Sequence, residues 1–265
     1  MNLLKETISS KQAKIVVEKK GSKEVILLLH AGILDKRMWG NEVNLLSKDY
    51  CVIAVDLPGF GESEILGNRI NYVEIIETVL EHYELTEVSI IAASFGGKIA
   101  IDFCLIHPEK VKKMILISPA VSGWEDSKEL IDYEEQESLT TDVKDLVTMN
   151  YEFWITRGRD ATNVNAEVEK LIVEMLQHNF SLEDNQAEEI NIIDNSLKKL
   201  GNIEQSLLII NGEKDVSDFL AIGSCIHNKV LLSQREVIPN TAHLPNLENS
   251  NLVSRYITAF LKKSD

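Results

Sequence analysis

The sequence lacks the marks of several protein classes. Its 265 residues hold only three cysteines, Cys51, Cys104 and Cys225, odd in number and widely spaced. That arrangement excludes a disulfide framework and a CxxC pair, and it is expected of reduced thiols in a cytoplasmic protein. No apolar run approaches the roughly 20 residues that a bilayer-spanning helix needs. The opening "MNLLKETISSKQAKIVVEKK" has neither the apolar core nor the small-residue cleavage site of a secretory leader, so a cytoplasmic location is expected. Positive charge is scarce: 27 Lys and Arg stand against 42 Asp and Glu, a net charge of −15. Nucleic acid and anionic membrane both demand basic patches, so neither is an expected partner. H-x-H, HExxH and acidic-triplet patterns are missing too, so no catalytic metal is expected. Internal repeats and low-complexity tracts are also absent.

What is present is a rhythm of short apolar runs and longer amphipathic stretches. Hydrophobic residues make up 44% of the chain, enough for a sizeable core. "AKIVVEKK" (13–20) and "EVILLLH" (24–30) flank Gly21-Ser22 and read as a hairpin. "YCVIAVD" (50–56), "EVSIIAA" (87–93), "KKMILIS" (112–118), "SLLIING" (206–212) and "REVIP" (235–239) are near-continuous apolar runs. Strands covered on both faces look like this, and such burial belongs to a mostly parallel sheet. Helical spacing fills 70–85, 95–107 and 247–263. The sum is an α/β fold with helices on both faces of the sheet. From about Pro119 to Leu200 no strong strand appears, and "NAEVEKLIVEMLQHNF" is helix-like. The expected organisation is therefore a core of 1–118 and 201–265, with 119–200 inserted as a helical cap over the C-terminal ends of the strands, where ligands bind in such sheets.

The stretch "SIIAASFGGKIAIDF" (89–103) sets Ser94 between a buried strand and a helix. A sharp strand-to-helix turn tolerates only small neighbours, and Ala92 and Gly96 supply them as A-x-S-x-G. A serine hydroxyl is a poor nucleophile until a base removes its proton, and the base needs a third group to orient it. Of six histidines, His82, His107, His178 and His227 lie in or at the ends of helix-like runs and read as structural or surface groups. His243, in "PNTAHLPNLE", follows the last strand in a turn-rich loop and is the favoured base. The acid is expected after the penultimate strand, where "LLIINGEKDVSDF" offers Glu213, Asp215 and Asp218. Asp215 has the reach to turn back toward His243, whereas Asp218 is expected to open the next helix and is the reserve. Oxyanion donors are expected from the N–H of Phe95, directly after the serine, and of Gly32, in the loop after the second strand. His30 is expected to shape that loop by hydrogen bonding.

Five stretches, "LLLHAGILDKRMW", "VIAVDLPGFGES", "IAASFGGKIAI", "NGEKDVSDF" and "IPNTAHLPNLE", together resemble the α/β-hydrolase superfamily over nearly the whole chain. "HAG…RMW" and "HLPNLE" carry a closer likeness to its capped bacterial esterases and enol-lactonases related to 3-oxoadipate enol-lactonase. Ala31 and Ala92 stand where that family usually has glycine; both are small. The resemblance implies an α/β-hydrolase fold, a triad of Ser94, Asp215 and His243, an oxyanion hole of Gly32 and Phe95, and no cofactor. The partner it implies is a small ester or lactone, hydrolysed through an acyl-enzyme. The cap has no specific match, so no substrate is inherited. Trp124 and Trp154 are the expected substrate-binding residues of the cap, with Phe153 and Phe180 nearby, and Arg157 and Arg159 are candidates to attract a substrate carboxylate. The same triad serves perhydrolysis, amide cleavage and C–C bond hydrolysis, and the same scaffold hosts ligand-binding and signalling proteins. Two other motifs are decoys. "DLPGFGES" lacks the third glycine of a dinucleotide loop and reads as a tight turn, and "GGK" lacks the Ser or Thr of a phosphate-cradling loop.

Overall fold

In the computed structural model, which describes residues 2–160, 164–182 and 187–263, the chain opens with an antiparallel pair, β1 (Leu4–Ser9) and β2 (Ala13–Gly21). Then come β3 (Val25–Leu29), α1 (Gly40–Leu46), β4 (Cys51–Val55) and two short strands, β5 (Glu64–Ile65) and β6 (Arg69–Ile70). α2 (Tyr72–His82), β7 (Val88–Ala93), α3 (Phe95–Ile106) and β8 (Val111–Ile117) follow. Next are α4 (Lys128–Leu139), α5 (Val143–Asn150), α6 (Ala166–Phe180) and the short β9 (Glu188–Glu189). The last elements are β10 (Ser206–Gly212), α7 (Ser217–Lys229), β11 (Ser233–Ile238), α8 (Pro245–Glu248) and α9 (Ser250–Leu261).

The main sheet runs β1-β2-β4-β3-β7-β8-β10-β11, with β5 added beside β2. It is parallel from β4 to β11, as the apolar runs predict. Every residue of β4 and β7 is buried, which is why their sequences show no polar alternation. The expected hairpin of 13–20 with 24–30 does not form. β4 lies between the two strands, antiparallel to β2 and parallel to β3. Gly21, at φ 91°, marks a chain crossing rather than a hairpin turn: a Cβ there would lie 2.0 Å from the Tyr50 carbonyl oxygen. β1 escapes notice in the sequence because only Ile8 of its six residues is buried.

Helices cover both faces. Ile75, Ile76 and Val79 of α2 pack on one side with Phe103 of α3 and Ile226 of α7. Val43 and Leu46 of α1 pack on the other with Val253, Ile257 and Phe260 of α9. Burying such side chains contributes about 1.5–3 kcal/mol each, so the two layers fix the sheet between them. Polar caps set where helices start. Asn71 accepts the N–H of Val73 and Glu74 at the head of α2, and Ser127, Asp142 and Asn165 cap α4, α5 and α6 in the same way. Asn249 splits the expected helix 247–263 in two, because its side chain caps α9 through the Leu252 N–H. α4, α5 and α6 occupy the stretch read as helical, with α5 running directly into a π-helical turn at Tyr151–Thr156. Among the described residues no helix is long and apolar enough to cross a membrane.

Candidate active site

β7 carries the chain to Ser94, and α3 starts at the next residue. Ser94 has φ 49° and ψ −114°, a sparsely populated conformation for a residue with a Cβ. The surroundings hold it there. Its N–H donates to the Ile117 carbonyl at 2.9 Å, and its own carbonyl accepts from Ala120 at 3.0 Å. Ala92 is fully buried. A Cβ on Gly96 would lie 2.5 Å from the Leu29 oxygen and 2.6 Å from the His30 oxygen, so only glycine fits. Gly97, which sequence reasoning passed over, has the same constraint: a Cβ there would come within 2.8 Å of the Pro119 ring. α3 is thereby pressed against the end of β3, with the serine at the corner, half-buried.

His243 and Asp215 meet. The imidazole Nδ1 lies 2.8 Å from Asp215 Oδ1, and both side chains are almost wholly buried. Close backbone approach makes this possible. A Cβ on Gly212 would lie 1.9 Å from the Ala242 oxygen, so glycine at the end of β10 lets the acid turn and the histidine loop touch. The Lys214 N–H donates to Thr241 at 2.8 Å, and the Glu213 carboxylate accepts the Asn240 N–H at 2.9 Å. Glu213 thus fastens the loop. Asp218 is spent elsewhere, accepting from the Ser127 N–H at 2.8 Å and the Trp124 indole at 3.2 Å. Of the three acids, Asp215 is the one that reaches the histidine. Among the described residues the Ser94 hydroxyl makes no hydrogen bond, to His243 or to another group. Such contacts are often long before substrate binds.

Aromatic rings enclose the imidazole. Phe219 and Trp154 stand with ring centroids 4.3 and 4.6 Å from it, and the backbone N–H of His243 donates to the Trp154 carbonyl at 3.2 Å. Trp154 belongs to the π-helical turn, a feature that recurs at functional sites. Arg159 just beyond it binds Glu248 at 2.6 Å, and Glu248 in turn accepts the Ala242 N–H at 2.7 Å. Burial raises the Glu248 pKa above the usual carboxylate value despite the opposing pull of Arg159. Arg159 therefore steadies the histidine loop and is not free to receive a substrate carboxylate. Arg157 pairs with Glu129 at 2.8 Å and lies over the Phe153 ring.

The loop after β3 faces the serine corner. A Cβ on Gly32 would come within 3.2 Å of Phe95 Cβ, which puts these two backbones side by side. Among the described residues neither backbone N–H has an acceptor. His30 anchors the loop as expected: Nε2 accepts the Leu57 N–H at 2.9 Å and Nδ1 lies 2.8 Å from the Ala31 carbonyl. Burial lowers its pKa, so it stays neutral and serves as a strut. A second strut is invisible in the sequence. Lys36 and Asp56 form a buried ion pair at 2.6 Å, and the Lys36 N–H also donates to Asp56 at 2.8 Å. Burial opposes the Lys36 charge, yet Asp56 and Glu62 outweigh it and raise its pKa.

Beside the corner lies a cavity of about 720 Å³, walled by Phe60, Tyr72, Phe95, Leu146 and Phe180 among others. Its charged walls among the described residues are Glu64 and Glu189; no Lys or Arg lines it. Neither Trp124 nor Trp154 is among its walls. Trp124 packs instead on the core near Asp218, and Trp154 on the imidazole.

The family model described as alpha/beta hydrolase fold matches residues 24–250. Similar proteins include a pimeloyl-[acyl-carrier protein] methyl ester esterase of Nitrosospira multiformis, 28% identical over 89% of this chain and 94% of that one. Another is the carboxylesterase YbfK of Bacillus subtilis, 23% identical over 96% of this chain and 86% of that one. The crystal structure of the Bacillus subtilis carboxylesterase CesB (YbfK) matches with a TM-score of 0.85 at 19% identity, covering 100% of this chain and 93% of that one.

Proposed function

The chain belongs to the alpha/beta hydrolase family, and from that premise we propose that it is a serine esterase, cleaving small neutral carboxylic esters or lactones through Ser94, His243 and Asp215. The observation that carries this is the strained Ser94 corner, a φ of 49° on a non-glycine residue maintained by glycines that accept no substitute. The His243–Asp215 hydrogen bond supports it, since the carboxylate fixes the imidazole with its proton on Nδ1 and leaves Nε2 as the base.

In this mechanism Ser94 Oγ attacks the carbonyl carbon while His243 takes the hydroxyl proton. The oxyanion accepts the N–H groups of Gly32 and Phe95, each donor being worth about 2.7–4 kcal/mol in such sites. Collapse breaks the C–O bond, His243 gives its proton to the departing alkoxide, and the acyl group stays on Ser94. Water then loses a proton to His243 and attacks the acyl-enzyme, releasing the acid and restoring the serine. Residues 119–200 act as a cap over the core formed by 1–118 and 201–265. The size and mainly apolar walls of the cavity suit a small uncharged acyl or alkyl group, and Glu64 and Glu189 disfavour an anionic one. The names of the relatives, a methyl ester esterase and a carboxylesterase, favour esters over lactones.

Replacing Ser94 with Ala tests this directly. Turnover of short p-nitrophenyl esters should fall by on the order of 10⁴-fold or more while the fold is retained. A variant that keeps wild-type turnover would end the assignment.

A further inference from the structure

The last turn of α6 reaches back to the loop that follows β3. There the Asn179 carboxamide stands between two backbone segments: Nδ2 donates to the Ile33 carbonyl at 3.2 Å, and Oδ1 accepts the Gly61 N–H at 2.9 Å. This orientation of the amide is forced, because a carbonyl oxygen only accepts and a backbone N–H only donates. Beside it, His178 Nε2 donates to the Gly61 carbonyl at 2.8 Å, so two adjacent residues of α6 hold both polar groups of Gly61. The Asn179 side chain is not needed to finish its own helix. The Ser181 N–H already bonds the Gln177 and His178 carbonyls, and the Leu182 N–H bonds that of Asn179. Asn179 and Phe180 also wall the cavity beside the serine corner.

The bond to Ile33 leads to Gly32 through two peptide units. The first joins Ile33 to Leu34, and its N–H donates to the Ala31 carbonyl at 3.0 Å. The second joins Ala31 to Gly32, and its N–H is that of Gly32, in the loop that lies against Phe95. A trans peptide is planar and its N–H points away from its C=O, so fixing one end aims the other. Hydrogen bonds linked in such a series also polarise one another, which strengthens the last donor. His30 grips the same Ala31 carbonyl from the core side. Its Nε2 accepts the Leu57 N–H, so the ring proton is on Nδ1, 2.8 Å from that oxygen. We propose that Asn179 is a positioning residue for the Gly32 N–H, aiming it from α6 through the Ile33–Leu34 and Ala31–Gly32 peptides.

That role rests on the proposed function, in which Gly32 serves an oxyanion, whereas the hold of Asn179 on the loop does not, so two readouts separate them. Asn179→Asp keeps an oxygen for the Gly61 N–H and sets a second oxygen against the Ile33 carbonyl, which cuts the series at its first link. Amide exchange followed by NMR should show the Leu34 N–H losing about tenfold in protection. In ester hydrolysis kcat should fall by about tenfold with KM within about twofold, a part of the roughly 10²–10³ lost when an oxyanion donor is removed outright. A trifluoromethyl ketone reports the oxyanion itself: Ser94 Oγ bonds the carbonyl carbon, the carbonyl electron pair moves to oxygen and the hydroxyl proton moves to His243. Its affinity should fall with kcat, while that of the matching methyl ketone, which stays trigonal, should hold. His178→Ala releases the Gly61 carbonyl alone and should keep kcat within about threefold of wild type. Wild-type kcat in N179D, equal losses for the two ketones, or equal kcat losses in N179D and H178A overturn the positioning role. Unchanged Leu34 exchange overturns the hold on the loop. If Ser94→Ala retains activity, the function falls and the positioning role with it, while Leu34 exchange still decides whether Asn179 holds the loop.

Discussion

At the scale of single residues, the imidazole is fixed by one carboxylate oxygen, Asp215 Oδ1, which also accepts the Val216 N–H at 2.8 Å. Asp215→Asn preserves the shape but replaces the carboxylate with a neutral amide whose NH2 can donate to Nδ1, so the tautomer is no longer fixed. The account predicts a fall in kcat on the order of 10⁴-fold with little change in KM. Steady-state kinetics on a p-nitrophenyl ester measure it, and a loss under about tenfold would contradict the role. The placement of Ser94 and His243 was legible in the sequence because each stands where a strand gives way to a helix or to a turn-rich loop. The acid was less so: Asp215 and Asp218 follow the same strand at nearly equal reach. Only the contact of Gly212 with Ala242, and the capture of Asp218 by Ser127 and Trp124, separates them. Trp124 and Trp154 were read from their place in the inserted stretch, which cannot tell a ring that packs on Asp218 or His243 from one that lines a cavity.

At the scale of elements, the corner between β7 and α3 depends on close passage of α3 over the end of β3. Gly96→Ala would drive a Cβ into two backbone oxygens, at 2.5 and 2.6 Å, and backbone cannot rotate away as a side chain can. The expected cost is about 1–3 kcal/mol, read by urea unfolding, with a loss of kcat beyond what the unfolded fraction explains. Gly40→Ala is the control: an added Cβ there meets nothing within 4 Å at the start of α1, so it should be neutral or stabilising by about 0.4–1 kcal/mol. Equal effects of the two substitutions would contradict the steric account. The parallel strands were legible because burial on both faces leaves continuous apolar runs. The order of β2, β4 and β3 was not, because pairing across a crossover leaves no local signal. Nor was the π-helical turn at Tyr151–Thr156, since a shifted hydrogen-bond register has no residue pattern of its own.

At the scale of the whole molecule, the site is assembled from segments far apart in the chain. Ser94 comes from the centre of the sheet, Asp215 and His243 from beyond β10 and β11, and Trp154 and Arg159 from the stretch before α6. The last two meet the histidine loop through the Trp154 carbonyl and the Arg159–Glu248 pair, so this stretch is hydrogen-bonded to the loop that carries His243. A net charge of −15 and a cavity whose charged walls among the described residues are two glutamates both act against an anion entering it. These distant parts have a common purpose only if they activate one hydroxyl. The most direct measurement is the mass of the intact protein, with peptide mapping, after exposure to a fluorophosphonate probe. The account predicts a single adduct on Ser94 whose formation slows sharply in His243→Ala. A wild-type protein that hydrolyses esters yet takes no adduct at Ser94, or takes it at another residue, would contradict it.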